Sequence, residues 1–194
     1  MKNLPINNSD ILLFVNDLAF YRSHRKGLFD FLSVKHKIYV YTDTQGFVKS
    51  TIEVNENHNL KIRNISFDKS SIGIIKNIKY LCSFFQILKQ RSSKHTIFIS
   101  NKLILIGAIL NIIAPLKKRN MYFFFSGLGY LFISKSIKPK ILKFIFLNIL
   151  KQSIKRGNVQ IVVQNSDDYN FLYNQLVCDK SLIHLIQGNG IAIQ

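Results

Sequence analysis

Short uninterrupted apolar runs alternate along this chain with longer runs of helical period. Residues 11–15 (Ile-Leu-Leu-Phe-Val) are apolar without a break, as in a strand covered on both faces. Residues 37–41 alternate around Ile38-Tyr39-Val40-Tyr41, and 60–66 do the same. Shorter runs of the same kind fall at 96–99, 121–125, 159–163 and 182–186. Between them lie helical stretches. A loop after Val15 leads to a helix over 23–34, and 74–91 places Ile75, Ile78, Cys82, Phe85 and Leu88 at spacings of three or four. The stretch 103–113 is apolar almost all round and therefore a helix for the interior. Two more helices follow, one over 139–154 and one starting near Ser166-Asp167-Asp168, where acidic side chains suit the first turn.

Strands joined by helices of this length predict an α/β chain. The expected fold is a Rossmann-like, doubly wound, mainly parallel sheet with helices on both faces. Its 194 residues suit a single domain spanning 1–194, with no internal repeat, no low-complexity segment and no linker. Ligands in such folds sit beyond the carboxyl ends of the strands. The chemistry is thus to be sought in the loops after Val15, Tyr41, Ile99, Phe125, Val163 and Ile186.

Composition narrows the classes. Hydrophobic residues make up 47% and charged residues 19%, which excludes a disordered chain. Two cysteines, Cys82 and Cys178, exclude a disulfide-stapled scaffold and a four-cysteine zinc site. The most apolar windows, 103–114 and 141–150, are shorter than the roughly 18–20 residues that span a bilayer. No signal peptide is recognised. The net charge of +17 is concentrated: no Asp or Glu lies between Asp68 and Asp167, a stretch that holds 17 of the 27 Lys and Arg. Such a field suits a polyanion or an anionic membrane, although a biased genomic composition also enriches Lys, Ile, Asn and Phe.

In the first loop, Ser23 is a candidate helix cap that would place His24 and Arg25 in the first turn. There a histidine can move a proton and an arginine can hold a phosphate or carboxylate; a capped helix start with solvated side chains fits equally. After Phe125, Ser126-Gly127-Leu128-Gly129 permits close approach of a ligand to the backbone, or is simply a tight turn. It is not a dinucleotide fingerprint, since Phe132 stands at the third glycine position. A second glycine pair, Gly188 and Gly190, follows the last strand. The five histidines are scattered, with no metal-binding spacing, no GxSxG and no P-loop. On the 139–154 helix, Lys140, Lys143, Lys151 and Lys155 share one broad face. Ile141, Phe144 and Ile145 lie toward it, and Leu142, Phe146, Ile149 and Leu150 form the packing face. Such a lysine face with exposed apolar residues suits either an interfacial helix on anionic lipid or an ordinary solvated face. No RNP, helix-turn-helix or zinc-finger signature marks a nucleic-acid binder.

The loops together resemble the N-terminal half of family-4 glycosyltransferases of the GT-B fold. The resemblance rests on four segments in the family's order. They are the strand and loop through Asn16-Asp17 to Ser23-His24-Arg25; Ser126-Gly127-Leu128-Gly129-Tyr130; Val162-Val163-Gln164-Asn165-Ser166-Asp167-Asp168; and a hinge-like segment over 183–191. The departures are Lys26-Gly27 for Leu-Pro, Asn101-Lys102-Leu103 for Lys-Pro, Ala192 for Asp, and Ser126 where many relatives carry His. The resemblance implies an enzyme that transfers a sugar, with retention and without a metal or other cofactor. The donor would be a nucleotide-sugar and the acceptor a lipid-linked or polysaccharide glycan, at the cytoplasmic face of an anionic plasma membrane. It implies His24 as the catalytic candidate and Asn16, Arg25, Ser126, Gly127, Gly129, Gly188 and Gly190 at the substrate. Lys140, Lys143, Phe144, Lys151 and Lys155 would face the membrane. The donor-binding half with its paired glutamates is expected to be absent, since the only glutamates are Glu53 and Glu56. The chain alone would then be inactive unless a separately encoded half joins it. The competing readings are a non-catalytic basic module docking on membrane or nucleic acid, and a truncated relic.

Overall fold

The computed structural model describes residues 7–47, 57–68, 73–91, 93–114, 116, 118–129, 132 and 136–186. Seven strands form one open parallel sheet in the order β3-β2-β1-β4-β5-β6-β7, with helices around it, the predicted Rossmann-like α/β fold. By compactness the chain divides after Ile97 into two units, and β4 (Ser93–Ile99) runs across that division.

The first unit contains β1 (Asn7–Asp17), α1 (Leu18–His24), α2 (Lys26–Ser33), β2 (Lys37–Asp43), β3 (Leu60–Asn64) and α3 (Ile74–Gln90). β1 pairs in parallel with β2, and β2 with β3. The unbroken apolar run 11–15 is buried throughout, as is 38–42 in β2, because both strands lie inside the sheet with cover on each face. Phe14 stacks on Tyr41 at 5.2 Å and meets Phe84 of α3 at 4.9 Å, and Phe67 closes the cluster against Phe84. At the carboxyl edge Asn64 Oδ1 accepts from both the backbone N–H and the hydroxyl of Thr44, tying the ends of β2 and β3 together.

The second unit contains α4 (Asn101–Ile113), β5 (Asn120–Phe124), α5 (Ile137–Ile154), β6 (Val159–Val163), α6 (Ser166–Leu176) and β7 (Ile183–Leu185). β5, β6 and β7 pair in parallel. As its composition predicts, α4 is interior: Leu103, Ile104, Ile106, Ala108 and Leu110 are buried. It approaches the sheet closely at Gly107, which lies against the Phe98 ring. A polar knot closes the amino edge. Asn111 donates to Ser153 and Asn158, and Asn158 donates to Asn111 Oδ1 and to the carbonyls of Leu116 and Arg119.

Three local expectations are corrected. There is no loop after Val15 and no cap at Ser23. β1 continues to Asp17, whose carboxylate accepts from Phe20 N–H at 2.8 Å and starts α1 at once. Secondly, α3 forms, but the row Ile75, Ile78, Cys82 and Phe85 faces outward; Phe84 and Leu88 are the residues it buries. Thirdly, Leu142 of α5 is exposed and does not pack, while Phe146, Leu147 and Leu150 do. Among the described residues no helix is long and apolar enough to cross a membrane.

Candidate functional site

In the first unit the carboxyl end of β1 delivers Asn16, half-buried, and then the short helix that carries His24 and Arg25. His24 closes α1 and Arg25 joins it to α2, so neither lies in the first turn of a helix. His24 is exposed, and two neighbours fix its ring. The ring stacks on Phe20 at 4.9 Å and an interplanar angle of 14°, and Nδ1 lies 2.6 Å from Ser23 Oγ. Ser23 donates its own hydroxyl hydrogen to Ala19 C=O one turn back, at 2.8 Å. The Ser23 oxygen accepts from Nδ1–H in the tautomer that carries its proton on Nδ1, and in that tautomer the Nε2 lone pair is available to take a proton.

Arg25 does different work. It is only 3% exposed, at the junction of α1 and α2, where its guanidinium donates to His24 C=O and lies 5.5 Å over the Phe20 ring. Burial pulls its pKa below the usual guanidinium value. Phe20 is thus shared by both side chains: the buried Arg25 holds the α1–α2 corner and the exposed His24 presents its ring.

In the second unit the segment after β5 is a preformed backbone platform. Phe125 is buried and its N–H donates to Val162 C=O, ending the strand. Ser126 is exposed, and Gly127 and Gly129 adopt φ of 129° and 67°, a region unfavourable to any side chain. No atom lies within 4 Å of where a Cβ at Gly127 would be, so backbone conformation and not crowding demands the glycine. The loop is fastened at both ends. Asn101, the first residue of α4, donates from Nδ2 to Leu128 C=O at 2.7 Å. Beyond it, Phe132 donates its N–H to Gly129 C=O and sets its ring edge-on between Phe146 of α5 and Phe171 of α6, 5.6 Å from each. Lys143 Nζ caps this clasp 4.4 Å over Phe171. Beside the platform, Asn165 at the end of β6 accepts from Asp168 N–H at 2.7 Å and caps α6; Asp167 and Asp168 occupy its first turn, as expected.

Of the membrane-facing residues expected on α5, Lys140, Phe144 and Lys155 are exposed, with Phe144 at 69%. Lys143 and Lys151 are half-buried, and Lys143 belongs to the aromatic clasp and not to an open lysine face. Gly188 and Gly190 lie outside the described residues. His184 is held by Gln160 on the adjacent strand, a sheet-edge pair. Among the described residues no three His, Cys, Asp or Glu gather where they could hold a metal ion. The roles of Asn101, Phe132 and Phe171 were not legible in the sequence, because each acts through a partner remote along the chain.

With this geometry in view, the chain's likeness to solved structures falls into place. It is similar to the crystal structure of a glycosyltransferase from Rickettsia africae ESF-5, with a TM-score of 0.59 and 15% identity over 93% of this chain. The match covers 43% of that protein, so this chain spans less than half its length. No family model and no curated protein matches the sequence. The chain therefore has a glycosyltransferase-like Rossmann fold.

Proposed function

We propose that this chain is the acceptor-binding half of a retaining glycosyltransferase that moves a sugar from a nucleotide-sugar to a lipid-linked or polysaccharide acceptor. The observation that carries the reading is the match of nearly the whole chain to under half of a known glycosyltransferase. The Ser126–Gly129 platform supports it, because open backbone at a strand's carboxyl end suits a hydroxyl-rich ligand. In this reading His24 Nε2 accepts a proton or a hydrogen bond from the acceptor, and Ser23 and Phe20 hold its ring. Asn16 and Ser126 contact the acceptor, Arg25 supports the corner, and Gly188 and Gly190 belong to a hinge. No metal or cofactor is invoked. The groups that neutralise the departing nucleoside diphosphate belong to a donor-binding half. The family-4 assignment and a peripheral place on the cytoplasmic face of the membrane are part of the same proposal.

The test is an NMR titration of the full chain with a short-chain polyprenyl-diphosphate sugar and, separately, with nucleotide-sugars. The acceptor analogue should shift the Gly127 and Gly129 amides and the His24 ring, while nucleotide-sugars leave them unmoved and are not turned over. Unaided turnover, or no response to any acceptor, would sink the proposal.

A second reading, a non-catalytic module that docks on anionic lipid, draws on α5. Its first half exposes Ile137, Ile141, Phe144 and Ile145 beside Lys138 and Lys140. Loss of cellular function on replacing Lys138 and Lys140, with no effect of His24→Ala, would favour it.

A further inference from the structure

We propose that one edge of α6 is a binding shelf for neutral pyranose rings, separate from the Ser126–Gly129 platform. The shelf goes beyond the function proposed above, since it needs neither sugar transfer nor a donor-binding half. Leu172 and Leu176 are buried and Phe171 joins the Phe132 clasp, and these three fasten the helix to its unit. Tyr169 and Tyr173 lie beside that packing face, half-buried and one turn apart. Their rings are inclined by only 10°, with centres 6.3 Å apart. Rings in direct face contact would lie about 3.5–4 Å apart, so these two are slid past each other and each keeps part of a face open. Among the described residues neither phenol hydroxyl has a hydrogen-bond partner. At about 100° per residue Asn170 and Asn174 form the next row outward, and both are exposed. Lys180 Nζ flanks the Tyr173 end of the shelf, 5.4 Å from the ring centre.

Charge and hydrogen-bonding capacity select the ligand. Among the described α-helices α6 alone has no lysine or arginine, and its first turn carries Asp167 and Asp168. In a chain of net charge +17 it is the helix least suited to a polyanion or an anionic surface. A pyranose ring presents C–H groups on its faces, and their positive ends fit the negative face of an aromatic ring. Its hydroxyls stand around the rim, each able to donate and to accept. Asn170 and Asn174 offer amides of both kinds to that rim, and the two phenol hydroxyls and the Lys180 ammonium add to them. A protein partner would bury the same polar groups and have to match each one, whereas a sugar brings its own matching hydroxyls. The two tyrosines stand about 6 Å apart along the helix axis, a spacing that suits successive units of one glycan chain.

The chain contains no tryptophan, so Tyr169→Trp keeps a flat ring on the shelf and installs a single fluorescent reporter. In the full chain its emission should shift on titration with chitotetraose or cellotetraose, both neutral. It should stay constant with tetragalacturonate, which is anionic. In the parent chain, followed by NMR, the neutral sugar should shift the side-chain amides of Asn170 and Asn174. Tyr169→Ala and Tyr173→Ala should each weaken its binding about ten-fold, whereas Tyr169→Phe, which keeps the ring, should weaken it about two-fold. Melting curves show whether the alanine variants fold, and Tyr169→Trp reads the shelf without removing a ring. Constant emission with both neutral sugars overturns the proposal, and so does a response to the anionic sugar alone. Binding that survives Tyr173→Ala at full strength would place the sugar on another surface and overturn it equally. A dimer in solution that Tyr173→Ala dissociates would overturn it in favour of a second copy. Binding at the shelf without an acceptor response at Gly127 fails the transferase reading alone, and a Gly127 response with a silent shelf fails this proposal alone.

Discussion

Gly107→Ala sets two physical effects against each other within one helix. Gly107 lies in the interior of α4, where alanine is favoured over glycine by about 0.8–1 kcal/mol of helix propensity. On that ground alone the substitution stabilises. Packing predicts the reverse. A Cβ at this position would fall 2.7 Å from Cδ2, 2.8 Å from Cε2 and 2.9 Å from Cγ of Phe98, well inside van der Waals contact. The Phe98 ring cannot swing aside freely, because it is fully buried and edge-on to Phe123 at 6.1 Å. Forcing extra atoms into such a core costs about 1–3 kcal/mol. The net expectation is destabilisation of about 1 kcal/mol, or a Tm lowered by about 2–4 °C for a chain of this size. Thermal and urea melts of the two proteins decide it. A double-mutant cycle with Phe98→Leu supplies the control, since in the smaller background Gly107→Ala should become neutral or stabilising. A Tm at or above that of the parent chain would show that the helix does not approach β4 as closely as described.

Other substitutions probe the polar groups. The Tyr21 hydroxyl is buried with no partner among the described residues, so Tyr21→Phe should raise stability by about 1 kcal/mol in urea denaturation. Burial, with a smaller contribution from Asp30, also raises its phenol pKa. Ionisation of that phenol therefore leaves stability untouched below about pH 10 and lowers it as pH rises above, because the unfolded chain ionises first. Melts of Tyr21→Phe should lack that part of the alkaline decline. Asn158→Ala removes the two N–H donors that three oxygens share and strips Asn111 of a partner, so it should cost about 3 kcal/mol by the same assay. Asn165→Ala removes only the α6 cap and should cost about 1 kcal/mol. Asn101→Ala should leave the melt nearly unchanged but speed amide exchange at Gly129 several-fold, because it releases the Leu128 carbonyl that fastens the loop.

What the sequence could and could not tell follows from the range over which each feature is decided. The strands were legible because a run such as 11–15 must be apolar if the strand is covered on both faces, and no distant partner changes that. Which side of a helix is inward was not always legible. In α3 two apolar rows lie side by side, one through Ile75, Ile78, Cys82 and Phe85, the other through Tyr80, Phe84 and Leu88. Spacing satisfies both. Aromatic contacts of Phe84 with Phe14 and Phe67 settle the choice, and those residues are remote in the chain. The start of α1 was ambiguous in a similar way. Asp17 and Ser23 are both capable caps, and the choice falls to Asp17 because β1, after a register shift between Phe14 and Asp17, still pairs Asp17 with Asp43 of β2. Once Asp17 caps, Ser23 is a full turn and a half inside the helix, and its hydroxyl turns from the backbone ahead to the carbonyl behind. That one shift converts His24 from a first-turn side chain into a ring steered by Ser23 and Phe20. The same logic moves Lys143. Its spacing on α5 groups it with Lys140, Lys151 and Lys155, yet Phe132 from the β5 loop and Phe171 from α6 meet beside it and draw its charge onto their faces. A lysine read from periodicity as a surface charge is thereby part of what anchors the glycine platform, and only the fold could bring those three residues together.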